Sequence, residues 1–354
     1  MSVPADAKPE GRRRRDTISF GGAGCEHGGG GGGALAGRDR NTIGDTLSVC
    51  SAPSWDGGLG GGGGARPDSR GERQLMSVFQ IPAYMVEAYI LGSYRPLCFS
   101  TAECLRSWFY VHTELGNIAT HLLGLLVFVA LAATTGPVVI PWAAGTTTTR
   151  VGAAEYVVVY TYIGTVIGCL AASVAFHTLS CHSQRRHFRS LRCDFIGILA
   201  LIVGSFVPIG YYGFLHAPRI LVGYTVAFVT VGVAGIAVSA LGHVEEPRRA
   251  RWRPAIFIGI SGAGLVPTIH AAVLNGYANA VDRMSLWYVL GMCMLYFAGT
   301  VAYTFKLPER LRPGKHDVLL HSHQIFHVFV VLAALLHYVG IIRALSWVHA
   351  AAPR

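Results

Sequence analysis

Charged residues are scarce in this chain. Lys, Arg, Asp and Glu supply 14% of its 354 residues, whereas about 25% is usual for a soluble domain. Seven stretches of about 20 residues are almost free of charge, and each is long enough to cross a ~30 Å hydrocarbon core as a helix. They lie near residues 113–135, 155–178, 194–214, 219–241, 255–274, 286–305 and 322–345. The composition therefore argues against a soluble protein and predicts an all-α integral membrane protein, a seven-transmembrane helix bundle.

Several common binding motifs are also missing. The eight cysteines include no C-x-x-C pair, which excludes a thiolate zinc ribbon. Six of them fall on the expected cytoplasmic side, where a reducing environment disfavours disulfides. The glycine runs 28–33 and 60–64 are not followed by Gly-Lys-Ser or Gly-Lys-Thr, so they are not phosphate-binding loops.

Basic residues are unevenly distributed among the loops that join the apolar stretches. The loops after the second, fourth and sixth stretches carry twelve Lys and Arg residues, and those after the first, third and fifth carry three. By the positive-inside rule the N-terminus is cytoplasmic and the C-terminus extracellular. The net charge of +10 is then explained by contact with anionic lipid of the inner leaflet, and no nucleic-acid partner is expected.

The chain divides into four regions by composition. Residues 1–75 are predicted to be a disordered Gly-rich cytoplasmic tail, because they contain too little apolar surface to offset chain entropy. Residues 76–111 regain aromatic and aliphatic side chains, and we expect a cytoplasmic amphipathic segment against the membrane. Residues 112–348 form the predicted seven-transmembrane domain, and 349–354 a short outer tail.

Three histidines and one aspartate are expected to meet at the inner leaflet. His323 and His327 are spaced i, i+4 at the start of the seventh stretch, so their rings share one helix face. The orientation places His177 near the inner end of the second stretch and Asp194 at the entrance of the third, while Ser173 lies one turn deeper than His177. Three neutral imidazoles suit Zn²⁺, which in catalytic sites leaves its fourth position to water. Asp194 would ligate directly, receive a proton from that water, or orient a histidine.

Other polar residues near the same leaflet have a plainer interpretation. Glu114, Asn117 and His121, at the inner entrance of the first stretch, are expected to cap helices and hydrogen-bond across the bundle. Cys181 follows His177 by four residues but is not expected to be a ligand.

Several blocks of the sequence resemble those of one membrane-protein family. They are SYRP from Ser93, ELGNIATH from Glu114, SVAFHTLSCHS from Ser173, DFIGI from Asp194, PERLRPGKHD from Pro308 and HSHQIFH from His321. These blocks, over about residues 80 to 345, are similar to the signatures of the progestin and adipoQ receptor family, also called haemolysin-III-related.

The resemblance implies a zinc site and roles for its residues. It implies that His177, His323 and His327 are zinc ligands, that Asp194 holds or activates a zinc-bound water, and that Ser173 belongs to the associated polar site. Phe195 is a departure, because a tyrosine is common in the family after the aspartate.

The resemblance also implies a function for the whole protein. The leading hypothesis is a receptor-like, multi-pass protein of the plasma membrane or endoplasmic reticulum with zinc-dependent hydrolase activity on a ceramide-like lipid amide. It would act in signalling linked to lipid, sterol or zinc homeostasis. Its partners would be a ceramide-like or sterol lipid, with an extracellular protein or steroid as a further ligand. The alternatives are a non-catalytic receptor with structural zinc, and a channel or haemolysin-like protein.

Overall fold

Residues 74–145, 151–241 and 253–351 are described by the computed structural model. Residues 1–73 of the predicted Gly-rich tail lie outside the described residues, as do 352–354 of the predicted outer tail. In the described part the secondary structure is helical, and extended backbone pairs in one isolated antiparallel bridge between Met76 and Tyr94. The α-helices are α1 (Thr101–Arg106), α2 (Leu115–Thr134), α3 (Ile140–Ala143), α4 (Ala153–Leu179), α5 (Gln184–Gly213), α6 (Pro218–Leu241), α7 (Arg253–Ala263), α8 (Leu265–Asn275), α9 (Tyr277–Arg283), α10 (Leu286–Phe305) and α11 (Ser322–Ala351).

Seven segments of these helices are long and apolar enough to span a membrane. They are Leu115–Ala143, Ala153–Leu179, Gln184–Gly213, Pro218–Ser239, Ile256–Asn275, Leu286–Phe305 and Ser322–Ala350. The first continues from α2 through a π-helical segment into α3, and the fifth combines α7 with α8. The prediction of an all-α protein with seven spans is confirmed for the described residues, while the orientation of the termini stays a prediction.

The third span begins earlier than the sequence indicated. Its helix, α5, starts at Gln184, so Asp194 lies ten residues into the helix, about 15 Å along its axis. The expectation that Asp194 stands at the helix entrance is therefore wrong. The basic residues before it are helical because His187, Ser190 and Asp194 recur at helical spacing on one buried face, while the arginines lie on the other faces.

Helices α2, α4, α5 and α11 pack closely against one another. A Cβ atom on Gly197 of α5 would lie 2.9 Å from Cα of Cys169, so glycine is needed for α5 to approach α4. A Cβ atom on Gly116 of α2 would overlap the side chain of Gln324 on α11. Deeper in the bundle, the buried Tyr162 of α4 donates a hydrogen bond to the Ala334 carbonyl oxygen of α11 at 2.7 Å. Helices α2, α4, α5 and α11 thus form the core around the site.

The segment before α2 folds onto the end of α4. Arg95 is 3% exposed, and its guanidinium donates to the carbonyl oxygens of His177 at 2.5 Å and Thr178 at 3.1 Å. It also donates to the hydroxyls of Ser107 and Ser180, both at 2.8 Å. A cation at this position satisfies the terminal carbonyls of the helix and complements its dipole. The Arg of the SYRP block therefore fixes the chain that carries His177.

The expected amphipathic segment is built of short turns. Residues 76–111 contain three 3₁₀ turns and the single helix α1 rather than one long helix. Phe79 is 94% exposed and Phe109 88% exposed. Apolar rings at the surface are what a segment lying against a membrane would present, but that placement stays a prediction.

Candidate metal centre

Three histidines converge where α4 and α11 meet. One ring nitrogen from each of His177, His323 and His327 lies within 4.8 Å of the others. The ring centroid of His177 is 4.9 Å from the centroid of His323 and 4.9 Å from that of His327. The centroids of His323 and His327 are 4.8 Å apart. His177 and His327 are buried, and His323 is partly buried. The expected gathering of the three histidines is therefore present, with two donors on consecutive turns of α11 and one on the last turns of α4.

The start of α11 is held by an acidic side chain. Glu309 accepts hydrogen bonds from the backbone N–H of Ser322, at 2.8 Å, and from its hydroxyl. A carboxylate at a helix N-terminus satisfies free N–H groups and complements the dipole. Because His323 follows directly, the PERLRPGKHD block helps to set its position.

The tautomer of His177 is fixed by a carboxylate. Nδ1 of His177 lies 2.7 Å from Oε2 of Glu114, and since a carboxylate only accepts, Nδ1 carries the proton. Nε2 is then a lone-pair nitrogen, and this buried atom has no hydrogen-bond partner among the described residues. Asn117 donates to the same carboxylate oxygen at 2.7 Å. A carboxylate–histidine pair of this kind is the usual support of a metal-binding imidazole.

The Glu114 carboxylate is held in its ionised form. Burial acts to raise the pKa of Glu114, but its contact with His177, together with the Arg95 charge and the hydrogen bond from Asn117, acts to lower it. The pKa therefore lies well below its usual range. Glu114 is thus available as an acceptor at neutral pH.

His327 is oriented by the backbone of α2. Its Nδ1 lies 3.2 Å from the carbonyl oxygen of Asn117, which only accepts, so the proton is on Nδ1 and Nε2 carries the lone pair. Two of the three imidazoles are thus neutral donors with their second nitrogen engaged. Imidazole sets suit zinc, copper, iron and nickel. These residues fit a zinc ion with three protein ligands.

A second polar pair lies beside the histidines. Nδ1 of His121 is 2.7 Å from Oγ of Ser173, and both residues are buried. The His121 ring stacks on that of His327 with 3.6 Å between centroids and 9° between planes. The His121 ring therefore contacts both Ser173 and His327, and so connects Ser173 to the histidine group.

The plainer interpretation of Glu114, Asn117 and His121 is only half right. Glu114 makes no side-chain capping hydrogen bond to α2. The expected hydrogen bonds across the bundle are present, and those of Glu114 and His121 end on His177 and Ser173. Sequence reasoning missed Glu114 as the partner of His177; the signal available was its place in the ELGNIATH block.

Asp194 is not a member of the histidine group. It is buried on α5 and is not within 4.8 Å of all three histidine nitrogens. The acceptor for His177 is Glu114, so Asp194 does not orient that histidine through Nδ1. Phe195 has its ring 6.0 Å from that of Phe257 on α7. Cys181 is likewise not part of the histidine group.

Comparison with known proteins agrees with the motifs. A family model described as haemolysin-III related matches residues 109–338. The chain is 37% identical over 255 residues to the adiponectin receptor protein of Drosophila melanogaster, covering 72% of this chain and 55% of that protein. It is 36% identical over 253 residues to the progestin and adipoQ receptor-like protein 1 of Caenorhabditis elegans, covering 72% and 56%. It is 35% identical over 281 residues to the heptahelical transmembrane protein 1 of Arabidopsis thaliana, covering 78% and 82%.

The share of each protein that is matched determines which conclusions the comparison supports. The chain spans a little more than half the length of the animal receptors and most of the plant protein. The matched family region contains all seven candidate spans except the last turns of the seventh. This chain therefore belongs to the haemolysin-III-related family of seven-helix membrane proteins, the family of the adiponectin and progestin receptor-like proteins.

Proposed function

We propose that this protein is a zinc-containing, receptor-like membrane protein that hydrolyses a lipid amide of the ceramide class. The observation that carries the proposal is the set of three histidines, with Nε2 of His177 a buried lone-pair nitrogen beside the other two rings. Three protein ligands are typical of catalytic zinc, whereas structural zinc is usually closed by four. When bound there, zinc would polarise the amide carbonyl and make a water molecule more acidic.

Asp194 would act as the proton acceptor. It is buried and lies beyond the ligand distance shared by the three histidines, which favours a role through water over direct ligation. We assign it the proton that the attacking water loses and that the leaving amine later gains. Positioned general acid–base groups typically contribute 10²–10⁴-fold.

Ser173 would stabilise the developing oxyanion. With the proton of His121 on Nδ1, the histidine donates to the serine oxygen, and the hydroxyl proton of Ser173 is free for the substrate oxygen. Glu114 keeps His177 in the tautomer that offers Nε2.

The surroundings of the histidines favour a lipid substrate. The histidines lie on helices that fit a membrane span, so a substrate must reach them from the bilayer or its inner surface. An amide that joins a fatty acyl chain to a long-chain base has its scissile bond at that level. We further propose that the amino terminus faces the cytoplasm, in the plasma membrane or endoplasmic reticulum, and that the centre lies at the inner leaflet.

The receptor part of the proposal rests on relatives. Two of them are named as an adiponectin receptor and a progestin and adipoQ receptor-like protein. A non-catalytic receptor is the second candidate, because a metal ion on His177 and His323 would join α4 to α11 and so stiffen the bundle. In that case zinc would be structural.

The two candidates are separated by one measurement on purified protein. Zinc content and fatty-acid release from ceramide are determined on the same sample, with sterol esters and other acyl amides as comparison substrates. Zinc-dependent release of fatty acid supports the hydrolase. Bound zinc without hydrolysis of any amide would favour the receptor with structural zinc.

A further inference from the structure

Three cysteines form a second cluster of potential metal ligands. Cys98 lies in the segment before α1, Cys104 lies on α1, and Cys181 lies in the turn after α4. Their sulfur atoms are 3.2 Å apart for Cys98 and Cys104, 3.8 Å for Cys104 and Cys181, and 3.9 Å for Cys98 and Cys181. Cys104 and Cys181 are buried, Cys98 is partly buried, and all three are free thiols.

The sulfur separations match a shared ion better than a disulfide. Thiolates at ~2.3 Å from one ion lie ~3.8 Å from each other in tetrahedral geometry and ~4.0 Å in trigonal geometry, and the separations of 3.8 Å and 3.9 Å agree with these values. The 3.2 Å separation between the sulfurs of Cys98 and Cys104 must widen by roughly 0.6–0.8 Å for both to bind the same ion. A disulfide instead requires ~2.05 Å between sulfurs and leaves one cysteine of the three without a partner.

Hydrogen bonds fix the relative positions of the segments that carry the three cysteines. The N–H of Cys98 donates to the carbonyl oxygen of Cys181, and the N–H of Phe99 to that of His182, both at 3.1 Å. The hydroxyl of Ser107 donates to the carbonyl oxygen of Cys104 at 2.7 Å. The thiols are therefore positioned before any ion binds, which lowers the ordering cost of binding.

Positive charge lies close to the cluster. The charge of the Arg95 guanidinium favours the thiolate forms of Cys98 and Cys181. Arg95 is buried and hydrogen-bonds to the end of α4, where Cys181 follows. A fixed cation would offset the excess negative charge of three thiolates around one metal ion.

We propose that Cys98, Cys104 and Cys181 form a second metal centre, which binds a soft, thiophilic d¹⁰ ion through three sulfur atoms. Thiolates select Cu(I) and zinc among the available ions. Three sulfurs satisfy Cu(I), whereas zinc would lack one of its usual four ligands, so Cu(I) is the expected occupant. On binding, three S–H protons pass to solvent as three metal–sulfur bonds form, and no electron is transferred. The centre shares no residue with the histidine group.

The test uses full-length protein in detergent under anaerobic, reducing conditions. Cu(I) and Zn²⁺ are supplied separately in competition with a chromophoric chelator, and thiolate-to-metal charge-transfer absorption reports ligation by sulfur. Wild type should bind about one Cu(I) per chain with this absorption. Cys98→Ser and Cys181→Ser should weaken binding by more than the ~10–100-fold that loss of an outer-shell partner costs.

Matched variants separate the cluster from other sites. Cys193 is exposed and outside the cluster, so Cys193→Ser should bind as wild type does. His323→Ala should keep the sulfur-bound ion while altering the histidine centre. Tighter binding of Zn²⁺ than of Cu(I), with the same loss in the cluster variants, would keep the site and change its occupant. Equal Cu(I) affinity in wild type and Cys98→Ser would overturn the proposal.

A measurement on the wild-type protein covers the case in which cluster variants do not fold. Alkylation followed by peptide mapping should show Cys98 protected by Cu(I), with Cys193 reacting at an unchanged rate. Lack of protection would contradict the site. Detection of a Cys98–Cys104 disulfide in protein purified anaerobically would also overturn it, because those sulfurs would then be a redox pair.

Discussion

The carboxylate of Glu114 accepts the Nδ1 proton of His177 at 2.7 Å. This contact joins residues 63 positions apart and leaves Nε2 of His177 as a buried lone-pair nitrogen beside His323 and His327. It gives Glu114 a role at the centre rather than at the end of a helix. It also means that Asp194 does not orient His177 through Nδ1.

The first prediction tests this contact. Glu114→Gln keeps the size of the side chain but removes the negative charge that holds the tautomer of His177. We expect the zinc affinity to fall ~10–100-fold, which is typical when the outer partner of a ligating histidine is lost. Competition with a zinc chelator measures the change. Glu103→Gln, on α1, is the matched control, and an equal effect of both changes would contradict the assignment.

The second prediction concerns the ligands themselves. His323→Ala or His327→Ala leaves two imidazoles, so each variant should lose most of the zinc that the histidine centre holds. Elemental analysis of purified protein gives the metal content, which should be about one zinc per chain at this centre in wild type. Cys181→Ser should leave that zinc in place. Unchanged zinc in both histidine variants would refute the site.

The third prediction concerns Asp194. Asp194→Asn should keep the zinc and the fold but lose a proton acceptor, so turnover of a ceramide-like amide should fall ~10²–10⁴-fold. Zinc content and fatty-acid release are measured together in wild type and variant. If zinc is structural, the same substitution should change thermal stability and little else, and this outcome would move the assignment to the receptor.

The fourth prediction concerns acid sensitivity through His112. This residue lies before the first span and is fully buried, and burial, together with the charge of Arg95, lowers its pKa from 6.5 to about 3. Its Nε2 donates to the carbonyl oxygen of Ser107 while its Nδ1 accepts from the N–H of Glu114. The folded state therefore binds fewer protons than the unfolded state, and stability should fall as the pH drops from about 6.5 towards 3.

The measurement is the thermal unfolding temperature in detergent at a series of pH values. His112→Gln retains a donor and an acceptor but does not titrate, so its unfolding temperature should depend less on pH than that of wild type. Curves of the same slope for wild type and variant would show that His112 does not contribute to the acid sensitivity.

The fifth prediction concerns orientation. Because basic residues lie in alternate loops, a tag placed after Arg354 should be reachable by antibody from outside intact cells. Protease added to the same cells should spare the chain before Leu75. Cleavage there without permeabilisation would reverse the orientation and place the histidine centre at the outer leaflet.

The apolar spans and the histidine pair were accessible from the sequence because both depend on local geometry. In a bilayer each helix satisfies its own backbone hydrogen bonds, so about 20 uncharged residues are enough to predict a span. Likewise, the i, i+4 spacing of His323 and His327 places both rings on one face of any helix. The start of α5 was not predicted, because the arginines from Arg185 onward are typical of a loop. In the structure this stretch is helical, and one face of it is buried.

Contacts between distant parts of the chain were decided by the tertiary structure. The sequence alone determined the number of spans and, through its motifs, the family and the candidate ligands. It did not pair Glu114 with His177, or bring Cys98 to Cys181 across 83 positions. Those pairs depend on how the segment before α2 packs against the end of α4, where the buried Arg95 joins the two. Such packing depends on the shape and polarity of both surfaces at once, and a linear pattern contains neither.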